Sequence, residues 1–428
     1  MSVFDLAAII ITVTAVFGWV NTRFLRLPPS VGLLAISLAS SLSLLAFHVL
    51  VPSAGLVPSV RAVVAQIDFN EALMHGMLAF LLFAGALHAD LDVVMRRRGT
   101  IVLLATVGLL ISTAVVGLLC RLVFGLLGLE VSWLACLIFG ALISPTDPIS
   151  VMAALKTLHA PASLEAKIAG ESLFNDGVAV VVFTALVALL PGGTGAHAHH
   201  AAEISALSIG RLFLQEAIGG GLLGLVAGYL AYRLMLSIDD YKVEVMISLA
   251  LVMGTYALSF PLHVSGPIAM VAAGMLIGNR GRRFAMSEQV ADYLEKFWEL
   301  IDEILNSVLF LLIGVEVLMV AFAAQRVTAG LVAIVIVLAA RLVSVWVPIT
   351  LLRRRAGFTP AVVRILTWAG LRGGISVALA LSLPPIPEKS LILTCTYVVV
   401  LFSILVQGAT IRRVLMRLLP GPGAAAES

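Results

Sequence analysis

Apolar runs long enough to cross a bilayer recur along the whole chain of 428 residues. FDLAAIIITVTAVFGWV (4–20) and IVLLATVGLLISTAVVGLLC (101–120) are two of them. A helix needs about 20 such residues to span a hydrocarbon core of roughly 30 Å. Only 12% of residues are charged and 61% are hydrophobic, whereas a soluble domain carries about a quarter charged residues. The pattern predicts an all-α polytopic membrane protein. The formal net charge of +3 is then no sign of nucleic acid, because the basic residues belong to loops. Cys120, Cys136 and Cys395 lie inside apolar runs without CxxC spacing and read as small core residues. No P-loop, HExxH, GxSxG or dinucleotide fingerprint is present. No enzymatic activity, ATP coupling or cofactor is therefore expected.

About thirteen spans are predicted, near 3–21, 31–50, 68–89, 100–125, 132–157, 164–190, 208–236, 243–260, 264–279, 297–321, 328–352, 361–383 and 390–411. The stretch 51–67 is read as interfacial. Odd-numbered connections then collect most lysines and arginines, from Arg23 and Arg26 to the run Arg353, Arg354 and Arg355. The other side has Arg61, Arg211, Arg326 and Lys389. By the positive-inside rule the N-terminus lies outside and the C-terminus in the cytoplasm. The loop PGGTGAHAHHAAE carries His197, His199 and His200 and reads first as a solvated loop, second as a metal or pH site. One transmembrane domain (1–415) and a short cytoplasmic tail (416–428) are expected.

Ionisable residues within the spans need a reason, since each costs about 2.5–3.5 kcal/mol at mid-membrane on insertion scales. In LIFGALISPTDPISVMAAL (137–155), Pro145 and Pro148 bracket Thr146 and Asp147. Proline removes a donor and clashes with the preceding turn, so this helix should open. Open backbone at membrane depth is tolerated only beside protein or a watery cavity. A plain kink with Asp147 capping the second half-helix explains the prolines. It does not explain the second acidic cluster, ESLFND (171–176), in the next span. There Glu171 and Asn175 share one helical face, and Ser172 and Asp176 the next. These hard oxygen donors suit an alkali cation. A helix start complementing its dipole would explain Glu171 but leaves Asp176 without a purpose.

A third element, ILTWAGLRGGISVALALSLP (365–384), surrounds Arg372 with Gly370, Gly373 and Gly374. Glycine costs about 1 kcal/mol against alanine inside a helix, so three together suggest a second broken or closely packed span. In GGGLLGLVAG, by contrast, Gly220, Gly224 and Gly228 read as small-residue packing. Arg341, mid-span in VLAARLVSVWV, cannot shed its proton and needs an anion, for which Glu171 is the candidate. The fifth and twelfth spans are thus both interrupted and run in opposite directions. Interrupted helices in matching positions of inverted halves point to a transport site near the midplane.

SPTDPISVMAALK, GESLFNDGVAVVVF and TWAGLRGGISVALALSLP resemble, in order, three stretches of the monovalent cation:proton antiporters, sodium/hydrogen exchanger branch (NhaP-like). The resemblance extends from RLPPSVGLL through the last span. It implies an inverted-repeat antiporter fold with two crossed, broken helices near 132–157 and 361–383, and a homodimer. The core bundle would cover roughly 100–190 and 328–411, with the remaining helices forming a dimer panel.

By position it implies that Asp176 binds the cation or the proton, with Asn175, Thr146, Asp147 and Ser172 around it. It implies a structural ion pair of Glu171 and Arg341. Arg372, Gly373, Pro145 and Pro148 would support the broken helices. Asn175 accompanies electroneutral exchange in the family. Many relatives carry an acidic residue in the third span where LLFAGALHADL has Ala84, so a carboxylate role there is not expected. The function implied is exchange of sodium, with lithium a further candidate, for protons across the cell membrane. A potassium/proton antiporter of the same fold is the alternative, and a non-transport sensor or channel the remote one.

Overall fold

Because lipid offers no hydrogen bonds, a chain this apolar must satisfy its backbone within each segment, and helices do so here. The computed structural model describes residues 2–51, 56–64, 66, 76–96, 98–158, 160, 162–190, 206–318, 323–356 and 360–418. Helices α1 (Val3–Val20), α2 (Pro29–Leu50), α3 (Leu56–Val64), α4 (Leu78–Leu87) and α5 (Leu109–Leu126) come first. One span is split into α6 (Trp133–Ile143) and α7 (Ile149–Thr157), followed by α8 (Ala162–Val187), α9 (Ala206–Met235), α10 (Tyr241–Ser259) and α11 (Gly266–Leu276). Then come α12 (Glu288–Glu316), α13 (Ala324–Ala356), a second split span of α14 (Pro360–Trp368) and α15 (Gly374–Leu381), α16 (Lys389–Phe402) and α17 (Ala409–Leu418). The π turn Ser403–Gly408 joins α16 to α17. There is no strand among the described residues.

Among the described residues, eight helical segments are long and apolar enough by themselves to cross a membrane, and α4 and α6 are shorter apolar helices. The main differences from the predicted ranges lie at helix ends. Helix α12 begins at Glu288, not near 297, because Ser287 caps it through the Val290 N–H and its first turns are amphipathic. Helix α17 runs on through Leu418, past the expected start of the tail at 416. The histidine loop with His197, His199 and His200, the residues after 418 and most of 52–75 lie outside the described residues.

The interior divides into apolar clusters. The largest joins α2, α5, α6, α12, α13, α15 and α16, with Phe139, Phe310 and Tyr397 fully covered. A second joins α4, α9, α10, α11 and the first half of α12 around Trp298, whose indole N–H donates to Ser248 Oγ at 3.0 Å. A third packs α7 and the start of α8 against α13, α14 and α17.

Between lipid and protein there is no hydrophobic driving force, so helices associate through close packing. Helix α9 meets α11 through Gly220, Gly224 and Gly228, and a Cβ at Gly224 would run into the Ala269 backbone. The opposite face of α11 meets α4 just as closely, with a Cβ at Gly274 running into the Phe83 carbonyl. Outward, α9 presents Leu214, Ile218, Leu222 and Leu225 at helical spacing, a fully apolar exposed stripe. That stripe suits lipid and would be a liability in water.

Gly224→Val should therefore push α9 off α11 and cost about 1–3 kcal/mol. Gly221→Val, three residues earlier where a Cβ meets nothing within 4 Å, should leave stability nearly unchanged. Thermal unfolding of the two detergent-solubilised variants checks this, and equal melting temperatures would refute the packing argument.

Candidate functional site

The two interrupted spans cross at their breaks. Residues Ser144–Pro148 separate α6 from α7, and Ala369–Gly373 separate α14 from α15. Each break leaves carbonyls at the end of one half-helix and N–H groups at the start of the next without intrahelical partners. The breaks serve each other in part: the Asp147 N–H donates to the Leu371 carbonyl at 2.8 Å.

Two arginines take the carbonyl ends. Arg372 Nη1 donates to the carbonyls of Ser144 at 2.5 Å and Pro145 at 2.9 Å, closing the end of α6. Arg341, from the middle of α13, donates to the Leu366 carbonyl through Nε (3.3 Å) and Nη2 (3.2 Å), closing the end of α14. Its Nη1 lies 2.5 Å from Glu171 Oε1, both side chains being buried. A cation at a helix C-terminus also opposes the negative end of the helix dipole. The Arg372 N–H donates to Ser403 Oγ at 2.7 Å. Ser403 in turn donates to Gln407 Oε1, and Gln407 Nε2 donates to the Trp368 carbonyl at 3.2 Å.

Glycine at 370 and 373 is required by close approach. A Cβ on Gly370 would meet Arg341 Nε at 2.5 Å, and one on Gly373 would meet Asp147 Oδ2 at 2.5 Å. Both backbones pass directly over a charged side chain, which any larger residue would displace.

Helix α8 supplies the remaining groups. Asn175 Nδ2 donates to Thr146 Oγ1 at 2.9 Å, and the Thr146 N–H reaches Asn175 Oδ1 at 3.4 Å. The Ser172 hydroxyl donates to the Thr146 carbonyl. Thr146 is thus gripped on three sides, which fixes the opened backbone between Pro145 and Pro148.

Three buried or nearly buried carboxylates surround the crossing, and their surroundings differ. Glu171 pairs with Arg341. Asp147 accepts the Ile149 N–H at 2.9 Å, capping α7, and sits beside Gly373 at the start of α15. It therefore lies at the positive ends of two half-helices. Asp176, only 8% exposed, has no hydrogen-bond or ion-pair partner among the described residues, and it lies near enough to the Asp147 carboxylate for the two negative charges to repel. Its neighbour Gly177 packs against Ile268 of α11, which puts Asp176 where α8 meets the second cluster. The donors here are oxygens of carboxylates, an amide, a hydroxyl and open backbone, which suit a hard monovalent cation and a proton.

Some residues near the site were not singled out in the sequence. Asp302 on α12 lies one helical turn from Asn306 and near enough to Asp147 for the two carboxylates to repel. The i, i+4 spacing of Asp302 and Asn306 on one face was the available signal. Ser403 and Gln407 had none, since they act through a π turn remote in sequence. Ala84 is fully buried in α4 and brings no carboxylate.

Comparison with known proteins matches residues 10–417 to the family model described as sodium/hydrogen exchanger, transmembrane. The chain is 49% identical over 426 residues to the Na(+)/H(+) antiporter NhaP of Pseudomonas aeruginosa, covering 97% of each chain. It is 32% identical over 421 residues to the Na(+)/H(+) antiporter NhaH of Halobacillus aidingensis, covering 96% of each. Its fold is similar to that of the sodium proton antiporter MjNhaP1 from Methanocaldococcus jannaschii at pH 8, with a TM-score of 0.74 at 17% identity over 96% of this chain and 97% of that one. On the extent of these matches, the chain belongs to the sodium/hydrogen exchanger family.

Proposed function

We propose that the protein exchanges sodium for protons across the cell membrane, one for one, with Asp176 as the shared binding group. The observation that carries this is the unequal treatment of the buried carboxylates. Glu171 and Asp147 have partners, and Asp176 is left without one among the described residues. A buried carboxylate without a partner is costly when charged. A proton or a sodium ion relieves that cost, and one group cannot hold both. If the core moves readily only when Asp176 is neutralised, the two fluxes are coupled and no net charge crosses.

In this reading Asn175, Thr146, Ser172 and Asp147 furnish the oxygens around the cation. The Glu171–Arg341 pair is structural, and Arg372 with Gly373, Pro145 and Pro148 holds the crossing. The core bundle (roughly 100–190 and 328–411) rocks against a panel formed by the other helices of the 1–415 domain. The N-terminus faces outward and the C-terminus the cytoplasm, following the distribution of lysine and arginine. The relatives NhaP and NhaH bear sodium/proton antiporter names, which supports sodium over potassium. The family resemblance supports a homodimer.

Asp176→Asn should reduce proton-coupled sodium flux in proteoliposomes to the level of empty vesicles while the protein stays folded. Sodium, lithium and potassium run side by side in that assay identify the transported ion. Exchange by this variant at the wild-type rate would refute the proposal. Arg341→Ala should act on stability instead. It strands the buried Glu171 carboxylate and the Leu366 carbonyl, and breaking a buried pair in this way costs about 3–5 kcal/mol. A loss of folded protein on gel filtration or a steep fall in melting temperature is the expected readout.

A further inference from the structure

We infer that the cavity between the end of α5 and the start of α6 binds the phosphoethanolamine headgroup of a membrane lipid, with Arg121 on the phosphate and Glu130 on the ammonium. The cavity measures about 580 Å³, and its lining includes Arg121, Gly125, Gly128, Glu130 and Ser132. Its volume falls in the ~300–1,000 Å³ range typical of small-ligand sites.

Arg121 is the first reason. It lies inside a span of mean hydropathy 2.5 (Gly99–Leu126), yet it has no carboxylate within ion-pair distance among the described residues. Its Nε is buried without a hydrogen-bond partner, and its guanidinium reaches past Gly125, where a Cβ would lie 3.4 Å from Nη1. Among the described residues its partner is the ring of Trp133, with Cζ 5.9 Å from the centroid. A cation–π contact contributes about 0.5–2 kcal/mol and leaves the guanidinium's forked donors unused. A phosphodiester fits that fork.

Glu130 is the second reason. It lines the same cavity and is exposed, and it forms no ion pair with Arg121 or any other described residue. One cation and one anion left apart in a single cavity match a zwitterion better than a purely anionic ligand. Glu388 accepts the Ser132 N–H at 3.2 Å and is committed to holding the start of α6. Gln325 of α13 donates to the Leu127 carbonyl at 3.2 Å, tying the connection between α5 and α6 to α13.

The surroundings are those of a lipid. On the two helix ends that flank the cavity, Leu122, Leu126 and Trp133 are 55%, 86% and 53% exposed, giving acyl chains apolar side chains to meet. The cavity lies where one apolar helix ends and the next begins, the level at which tryptophan and arginine anchor a protein to headgroups.

The test is thermal unfolding of delipidated, detergent-solubilised protein with added lipid. Phosphatidylethanolamine should raise the melting temperature of the wild type by at least ~2 °C, and phosphatidylglycerol by less. Arg121→Gln should lose both shifts. Glu130→Gln, at an exposed position with little structural risk, should keep the phosphatidylglycerol shift and lose the preference for phosphatidylethanolamine. Three outcomes would overturn the inference: Arg121→Gln responding like the wild type, Glu130→Gln retaining the preference, or soluble glycerophosphoethanolamine producing the full shift. The last would identify a free phosphate ester, not a lipid, as the ligand. Should Arg121→Gln fail to fold, the Glu130→Gln comparison decides by itself.

Discussion

An opened helix inside a membrane exposes carbonyls and N–H groups that lipid cannot satisfy, and two such openings are placed face to face here. The architecture around them follows from supplying the missing hydrogen bonds. Leu371 takes the Asp147 N–H, Arg372 closes α6, and Arg341 closes α14. Each arginine performs two tasks at once. It satisfies carbonyls left by the break, and it sets positive charge against the negative end of a half-helix dipole. The glycines at 370 and 373 follow from this, because the backbone must pass directly over the charged side chains.

The same constraint sorts the acidic groups. A buried carboxylate needs a cation, a set of donors or a proton. Arg341 meets the need of Glu171, and the starts of α7 and α15 meet that of Asp147. With those positive ends in use, Asp176 has none to draw on among the described residues. It also sits where α8 meets α11, at the junction of two apolar clusters. A group in that position is well placed to sense any relative movement of the two.

Much of this was legible in the sequence, for physical reasons that differ by residue. Pro145 and Pro148 announce an opening because proline lacks an N–H. Arg341 announces a need for an anion because guanidinium keeps its charge. Gly220, Gly224 and Gly228 announce close packing because four-residue spacing puts them on one face. Ser403 and Gln407 gave no such signal: hydroxyls and amides are common in helices, and their role depends on a π turn bringing them to Arg372 and Trp368. Arg121 carries no such signal either, since its lack of an ion-pair partner among the described residues is a fact of three dimensions.

Local chemistry in the chain determined that it spans a membrane as helices, that two of these are interrupted, and that acids and arginines lie at membrane depth. These are properties of side chains and of nearby backbone. Only the tertiary structure decided which acid pairs with which arginine, which lies at a helix start and which has no partner. Pairing depends on the crossing of segments far apart in the chain, up to the 228 residues between Ser144 and Arg372, and no periodicity or motif encodes that distance.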